Sequence, residues 1–196
     1  MLKFLSIWIK RLILVLWEVS LVTILGYYFY DRESFSAVSL KYFLEQFGSA
    51  LLLIYFLLSA LRGFTLVPST PFVLVGILLF PESLYFVYVI SMVGILLSAT
   101  MIYFFSREMG FEDALKKHHE KAILQCESWV KKYGFYAVAI WSFLIIVPTD
   151  VICYIAGILR MNYWKYILAV ALGEGIICII LIFWGGTVVD MTKGIL

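Results

Sequence analysis

Two stretches decide how this chain is read: LLLIYFLLSALRGFTLVPSTPFVLVGILLF (residues 51–80) and FYAVAIWSFLIIVPTDVICYIAGIL (residues 135–159). Each is an apolar run broken near its middle by proline, with Arg62, Gly63, Pro68 and Pro71 in the first and Pro148 and Asp150 in the second. The arms on either side hold only about 10–13 residues, which at about 1.5 Å rise reach about 15–20 Å. A hydrocarbon core is roughly 30 Å thick. Each stretch is therefore either one broken spanning helix or a hairpin that returns to the side it came from.

The rest of the chain supplies the setting. Of its 196 residues, 64% are hydrophobic and 14% charged, with a mean hydropathy of +1.01. Soluble domains hold about 45–50% apolar and about 25% charged residues, so this chain has too little polar surface for a water-soluble fold. Residues 12–30 form an apolar stretch behind Lys3, Lys10 and Arg11. It is too long for a signal-peptide core and no A-x-A site follows, so it is expected to be an uncleaved first transmembrane helix. Residues 31–47 place Phe35, Val38, Tyr42 and Phe43 at helical spacing among polar residues, as a short interfacial helix does. Residues 84–105 and 163–184 are candidate spans. Between them, residues 106–133 carry a helical seam from Phe111 to Tyr133 and a face with Lys116, Lys117, Lys121, Lys131 and Lys132.

Lysine placement chooses between the two readings of the broken stretches. The positive-inside rule puts the N-terminus and the lysine-rich segment both in the cytoplasm. An odd number of crossings must then separate residue 47 from Arg107, and residues 84–105 supply one. The first broken stretch must contribute none or two, and arms of that length are too short for two. A re-entrant hairpin from outside fits, and by the same logic the second hairpin dips in from the cytoplasm. The expected fold is all-α and integral to the membrane, with about three full transmembrane helices and two opposed re-entrant hairpins. Arg62 precedes Pro68 by six residues and Ser142 precedes Pro148 by six, with Gly76 and Gly157 following. The halves thus read as an inverted-topology repeat. The boundaries are 1–30 for the first helix, 31–47 for the interfacial helix, 48–110 and 134–187 for the repeats, 111–133 for the amphipathic helix and 188–196 for the tail.

PTDVICYIAG (148–157), LRGFTLVPSTPFVLVG (61–76) and GILLSATMIYFFSREMG (94–110) resemble, in order and spacing, segments of the DedA superfamily, also called the SNARE-associated Golgi or VTT-domain family, nearest its Tvp-type branch. The likeness runs from about residue 47 to 184. It implies a membrane protein that moves phospholipids or polyprenyl-phosphate carriers between leaflets, with proton coupling suggested for some members. Relatives usually carry an arginine and a further proline where this chain has Ser142 and Ile145.

Charges inside a bilayer cost roughly 2.5–3.5 kcal/mol each even on lenient scales, so those retained mark sites. Arg62 and Asp150 sit at the two hairpin tips. Either Arg62 receives a lipid phosphate or another anion through its planar donor fork while Asp150 gates it or exchanges protons, or the two lock the hairpins as a buried pair. Glu174, flanked by Gly173 and Gly175 in the last span, is the third substrate-site candidate, as a proton relay or a helix-locking acceptor. Pro68, Pro71 and Pro148 break the helices and free backbone groups that a re-entrant tip needs. His118 and His119 point to different helix faces and make a poor metal site, and Cys126, Cys153 and Cys178 lack metal or disulfide spacing. No catalytic constellation, cofactor motif or metal set is found, so no enzyme activity is expected. Expected partners are membrane lipids, with proton or ion coupling and a homo-oligomer left open, and with a net charge of +2 no nucleic acid. The alternatives to lipid transport are a proton- or ion-coupled small-solute carrier and a non-transporting assembly factor. A short chain without long tails points to a bacterial inner membrane, with the N-terminus cytoplasmic.

Overall fold

The structure is a computed structural model describing residues 2–31, 33–109, 128–130, 132–144 and 148–193, with side chains from Lys10 to Gly185 within those ranges. Among them there is no strand. The helices are α1 (Leu2–Tyr30), α2 (Ala37–Glu45), α3 (Leu51–Leu61), α4 (Thr70–Leu79), α5 (Leu84–Glu108), α6 (132–143), α7 (Thr149–Ile158) and α8 (Tyr163–Lys193).

Four helical segments are long and apolar enough to cross a membrane: Lys10–Tyr30, Gly48–Thr65, Leu84–Glu108 and Tyr163–Gly185. The sequence reading expected about three. The additional one arises because 3₁₀ turns at Gly48–Ala50 and Arg62–Thr65 extend α3 at both ends. Ending the first arm at Leu61 treated Arg62 as a breaker, whereas the helical path continues through it because the guanidinium is paired rather than repelled into water. Thr70–Leu79 and Thr149–Ile158 are short apolar helices of 10 residues each.

Helix α5 is the central post, packed against α3, α4, α7 and α8. Tyr103 donates to the Met161 carbonyl at 2.5 Å and Tyr166 to that of Ala99 at 2.9 Å, with the two rings stacked 5.0 Å apart. These bonds satisfy the phenols that burial would otherwise penalise and bind the start of α8 to the late part of α5. At the other end, Val73, Val87 and Ile182 close a second cluster among α4, α5 and α8. α2 docks through Leu44 against Tyr55 and Val75. Its Val38, Tyr42 and Phe43 face outward, so the seam read from sequence is the exposed face and a neighbouring one makes the contact. Ser36 caps α2 by accepting from the Ser39 amide.

α1 lies at the edge, with Leu12, Val15, Leu16, Val19 and Val22 exposed. An apolar outer surface is what a hydrocarbon solvent requires. Lys10 donates to the Glu108 carbonyl at 2.8 Å, which puts the early part of α1 beside the end of α5. The amphipathic segment with His118, His119 and Cys126 falls outside the described residues, apart from its last turn.

Candidate functional site

The site begins where α3 stops. The 3₁₀ turn Arg62–Thr65 ends at Leu66, which takes a left-handed conformation with φ 58°, uncommon for a side chain of that size. Pro68 follows, and Pro71 occupies the first turn of α4, where a missing N–H costs nothing. A break of this kind leaves carbonyls without helical partners, and each unsatisfied group in an apolar interior costs several kcal/mol. Four of them find partners here. Thr65 donates to Arg62 O at 2.6 Å, the Leu66 amide to Gly63 O at 3.4 Å, Trp17 to Phe64 O at 3.0 Å, and Arg62 itself to Val67 O at 3.1 Å. Tyr154 reaches Phe64 O at 3.4 Å.

Arg62 also pairs across the molecule. Its Nη1 lies 3.0 Å from Asp150 Oδ2, with both side chains buried. Asp150 is in the first turn of α7, where the helix N-terminus favours an anion. The contact depends on Gly63, because a Cβ there would collide with Ser98 Oγ and lie 2.6 Å from Asp150 Oδ1. The two residues that sequence reading placed at separate tips are thus one ion pair. Arg62 Nε finds no partner among the described residues, so part of the donor fork is unused.

Glu174 is 2% exposed and accepts a short hydrogen bond from Thr149, the residue before Asp150. Gly173, its neighbour, lets α8 touch the α6 backbone: a Cβ would sit 2.6 Å from Ala139 O. Glu174 lies eleven residues from either end of the span Tyr163–Gly185, hence at its middle. A small cavity of about 10 Å³, room for about one water, is lined by Glu174, Pro68, Ser69, Thr70, Ser142 and Pro148. A second of equal size lies among Tyr55, Ser59, Arg62, Ser69 and Ser91. Ser69 borders both.

Arg62, Asp150, Glu174, Pro68 and Pro148 therefore converge, and Pro71 starts the helix that leads away. The reading missed the hydroxyls. Ser59, Ser91 and Ser98 are buried like Ser142, which the repeat had already marked, and single serines in apolar runs otherwise attract no notice. The available signal was the spacing Ser91, Gly94, Ser98, three small residues on one face of α5, against which Ser59 packs 3.2 Å from the Gly94 Cβ position. Ser142 is buried against Gly173 with its hydroxyl unpartnered among the described residues. Ile145 lies outside those residues.

Residues 67–187 match the family model of the VTT domain. The chain belongs to the VTT-domain family. Asp150, Glu174 and the prolines fall within the VTT match, while Arg62 lies just before it. The chain is 32% identical over 107 residues to an uncharacterized protein of Methanocaldococcus jannaschii, covering 55% of this chain and 66% of that one. It is 35% identical over 101 residues to the uncharacterized membrane protein YbfM of Bacillus subtilis, covering 49% and 62%. The matches thus span just under two thirds of these relatives. No solved structure matches the chain. Membership in this family, with four helices long and apolar enough to span, makes the chain an integral membrane protein.

Proposed function

We propose that this VTT-domain protein moves phospholipid or polyprenyl-phosphate headgroups between leaflets, as a transporter and not an enzyme. The observation that carries the reading is the buried Arg62–Asp150 pair at 3.0 Å, set where helices break. A buried ion pair is a poor source of stability, since desolvation offsets its attraction. Its retention inside an apolar protein is better explained by use. Arg62 Nε has no partner among the described residues, and a phosphate would compete with Asp150 for the same planar fork. Ser69, Ser142, Thr149 and Glu174 continue the polar lining across the middle of the molecule.

Two re-entrant hairpins in an inverted repeat are part of this proposal. Tyr55 of α3 donates to Phe72 O of α4 at 3.1 Å, and its hydroxyl lies 2.6 Å from the Gly76 Cβ position. These contacts support arms that run antiparallel. Ser142 at the end of α6 meets Gly173, whereas Gly157 at the end of α7 meets Ser106, near the end of α5. That supports a second pair of arms reaching in from the face that carries Lys10 and Glu108. The positive-inside rule assigns this face to the cytoplasm and with it the N-terminus.

The test is translocation of fluorescent phospholipid and of a polyprenyl phosphate in proteoliposomes. Arg62→Ala, and the double change Arg62→Ala with Asp150→Ala that leaves no orphaned charge, are expected to abolish it in folded protein. Unchanged translocation by the folded double variant would sink the assignment. A proton-coupled small-solute carrier is the second reading, favoured by Glu174, a buried carboxyl group that accepts from the Thr149 hydroxyl and has no ion pair among the described residues. It predicts that an imposed pH gradient drives solute uptake and that Glu174→Gln abolishes the drive. Lipid movement indifferent to Glu174→Gln, with no solute flux, rejects that second reading.

A further inference from the structure

Where α7 ends and α8 begins, two cavities share a wall. The first, of about 470 Å³, is apolar and runs along Ala137, Trp141, Ile152 and Ile155. The second, of about 380 Å³, is lined by Lys132, Arg160, Asn162 and Lys165. Val130, Gly134, Leu159 and Met161 border both. Gly134 keeps the junction open: a Cβ there would come within 3.0 Å of Val130 Cγ1 and 3.3 Å of Met161 Sδ.

The turn between the cavities is built in an unusual way. The Arg160 amide bonds to Gly157 O at 3.1 Å and the Met161 amide to Ala156 O at 3.0 Å, closing the end of α7. This helix-ending motif normally places glycine in its left-handed position. Here that position is Arg160, with φ 48°. Asn162 Oδ1 accepts from the Lys165 amide at 3.1 Å and caps α8, whose N-terminal end adds a partial positive charge. Tyr163 begins the span Tyr163–Gly185, so the cationic cavity sits at headgroup level, and Trp141 and Ile152 line the apolar groove that adjoins it.

We propose that this double cavity binds one anionic phospholipid, its phosphate among Lys132, Arg160 and Lys165 and an acyl chain in the apolar groove. The two halves match the two halves of such a lipid, with charge complementing charge and an apolar groove of about 470 Å³ adjoining it. The site is separate from Arg62 and Asp150, since Arg160 is about 15 Å along α7 from Asp150 at about 1.5 Å per residue. Isolated cations at a bilayer surface touch phosphates of any lipid without a fixed stoichiometry. A cradle joined to a groove instead retains one molecule.

Native mass spectrometry of the full chain in detergent tests this, with long-chain phosphatidylglycerol, phosphatidylcholine of the same chains, and inorganic phosphate as probes. A single saturable phosphatidylglycerol adduct is expected, with weaker phosphatidylcholine binding and none of phosphate. Arg160→Gly removes the cation while suiting the left-handed turn, and in variant protein that unfolds at the same temperature it should weaken the adduct about fivefold. Ala137→Trp fills the groove without touching charge and should also weaken it. Adducts unchanged in both variants, equal retention of phosphatidylcholine, or protein dimers with no retained lipid overturn the proposal.

Discussion

Arg62 shows how much one side chain does in an apolar interior. It satisfies the Val67 carbonyl at 3.1 Å and neutralises Asp150 at 3.0 Å. Removing one partner of such a pair leaves an uncompensated buried charge, at a cost of about 3–5 kcal/mol, whereas replacing both with apolar residues is near neutral or stabilising. In thermal unfolding in detergent, Arg62→Ala and Asp150→Asn should each lower the midpoint, and Arg62→Met with Asp150→Leu should recover most of the loss. Additive losses in the double variant would show that the two charges are not coupled. The charged members of this site were legible because a charge in an apolar run stands out. Ser59, Ser91 and Ser98 were not, since a serine's effect depends on which neighbour its face meets, and that neighbour lies far away in sequence.

Helix contacts here are set by glycines at crossing points. Gly173 brings α8 against α6, with Ala139 O 2.6 Å from where a Cβ would stand, and Gly157 brings α7 against the Tyr103 carbonyl and Ser106. A backbone atom cannot swing aside as a side chain can, so Gly173→Ala and Gly157→Ala should each separate two helices and lower the unfolding midpoint markedly. Gly26 has nothing within 4 Å of its Cβ position in α1. Gly26→Ala should therefore stabilise α1 by about 0.5–1 kcal/mol through helix propensity alone. A loss at Gly26 equal to that at Gly173 would contradict this account. The elements themselves were largely readable, because apolar run length is a local property. The 3₁₀ turn Arg62–Thr65 that carries the helical path beyond α3 was not, since its arginine is held by Asp150, 88 positions away.

Across the whole molecule, Lys10 meets Glu108, while Gln46 and Glu82 are exposed at either end of the stretch holding α3 and α4. If that stretch is a re-entrant hairpin, single cysteines at Gln46 and Glu82 in a cysteine-free background label from the same side of the membrane. Cysteines at Lys10 and Met109 then label from the other. Labelling of Gln46→Cys and Glu82→Cys from opposite sides would instead make the stretch a crossing, and would remove the inverted repeat from the proposal.

Composition and run length alone determined that this protein lives in a bilayer, that it is helical, and that Arg62, Asp150 and Glu174 are costly enough to matter. These follow from transfer free energies, which each residue carries with it. Only the tertiary structure decided that Arg62 and Asp150 are partners, that Thr149 holds Glu174, and that four segments and not three are long enough to span. It also decided that Lys132, Arg160 and Lys165 surround one cavity. Those outcomes depend on which helix faces meet, and facing is fixed by glycine crossings and hydrogen bonds between residues far apart along the chain.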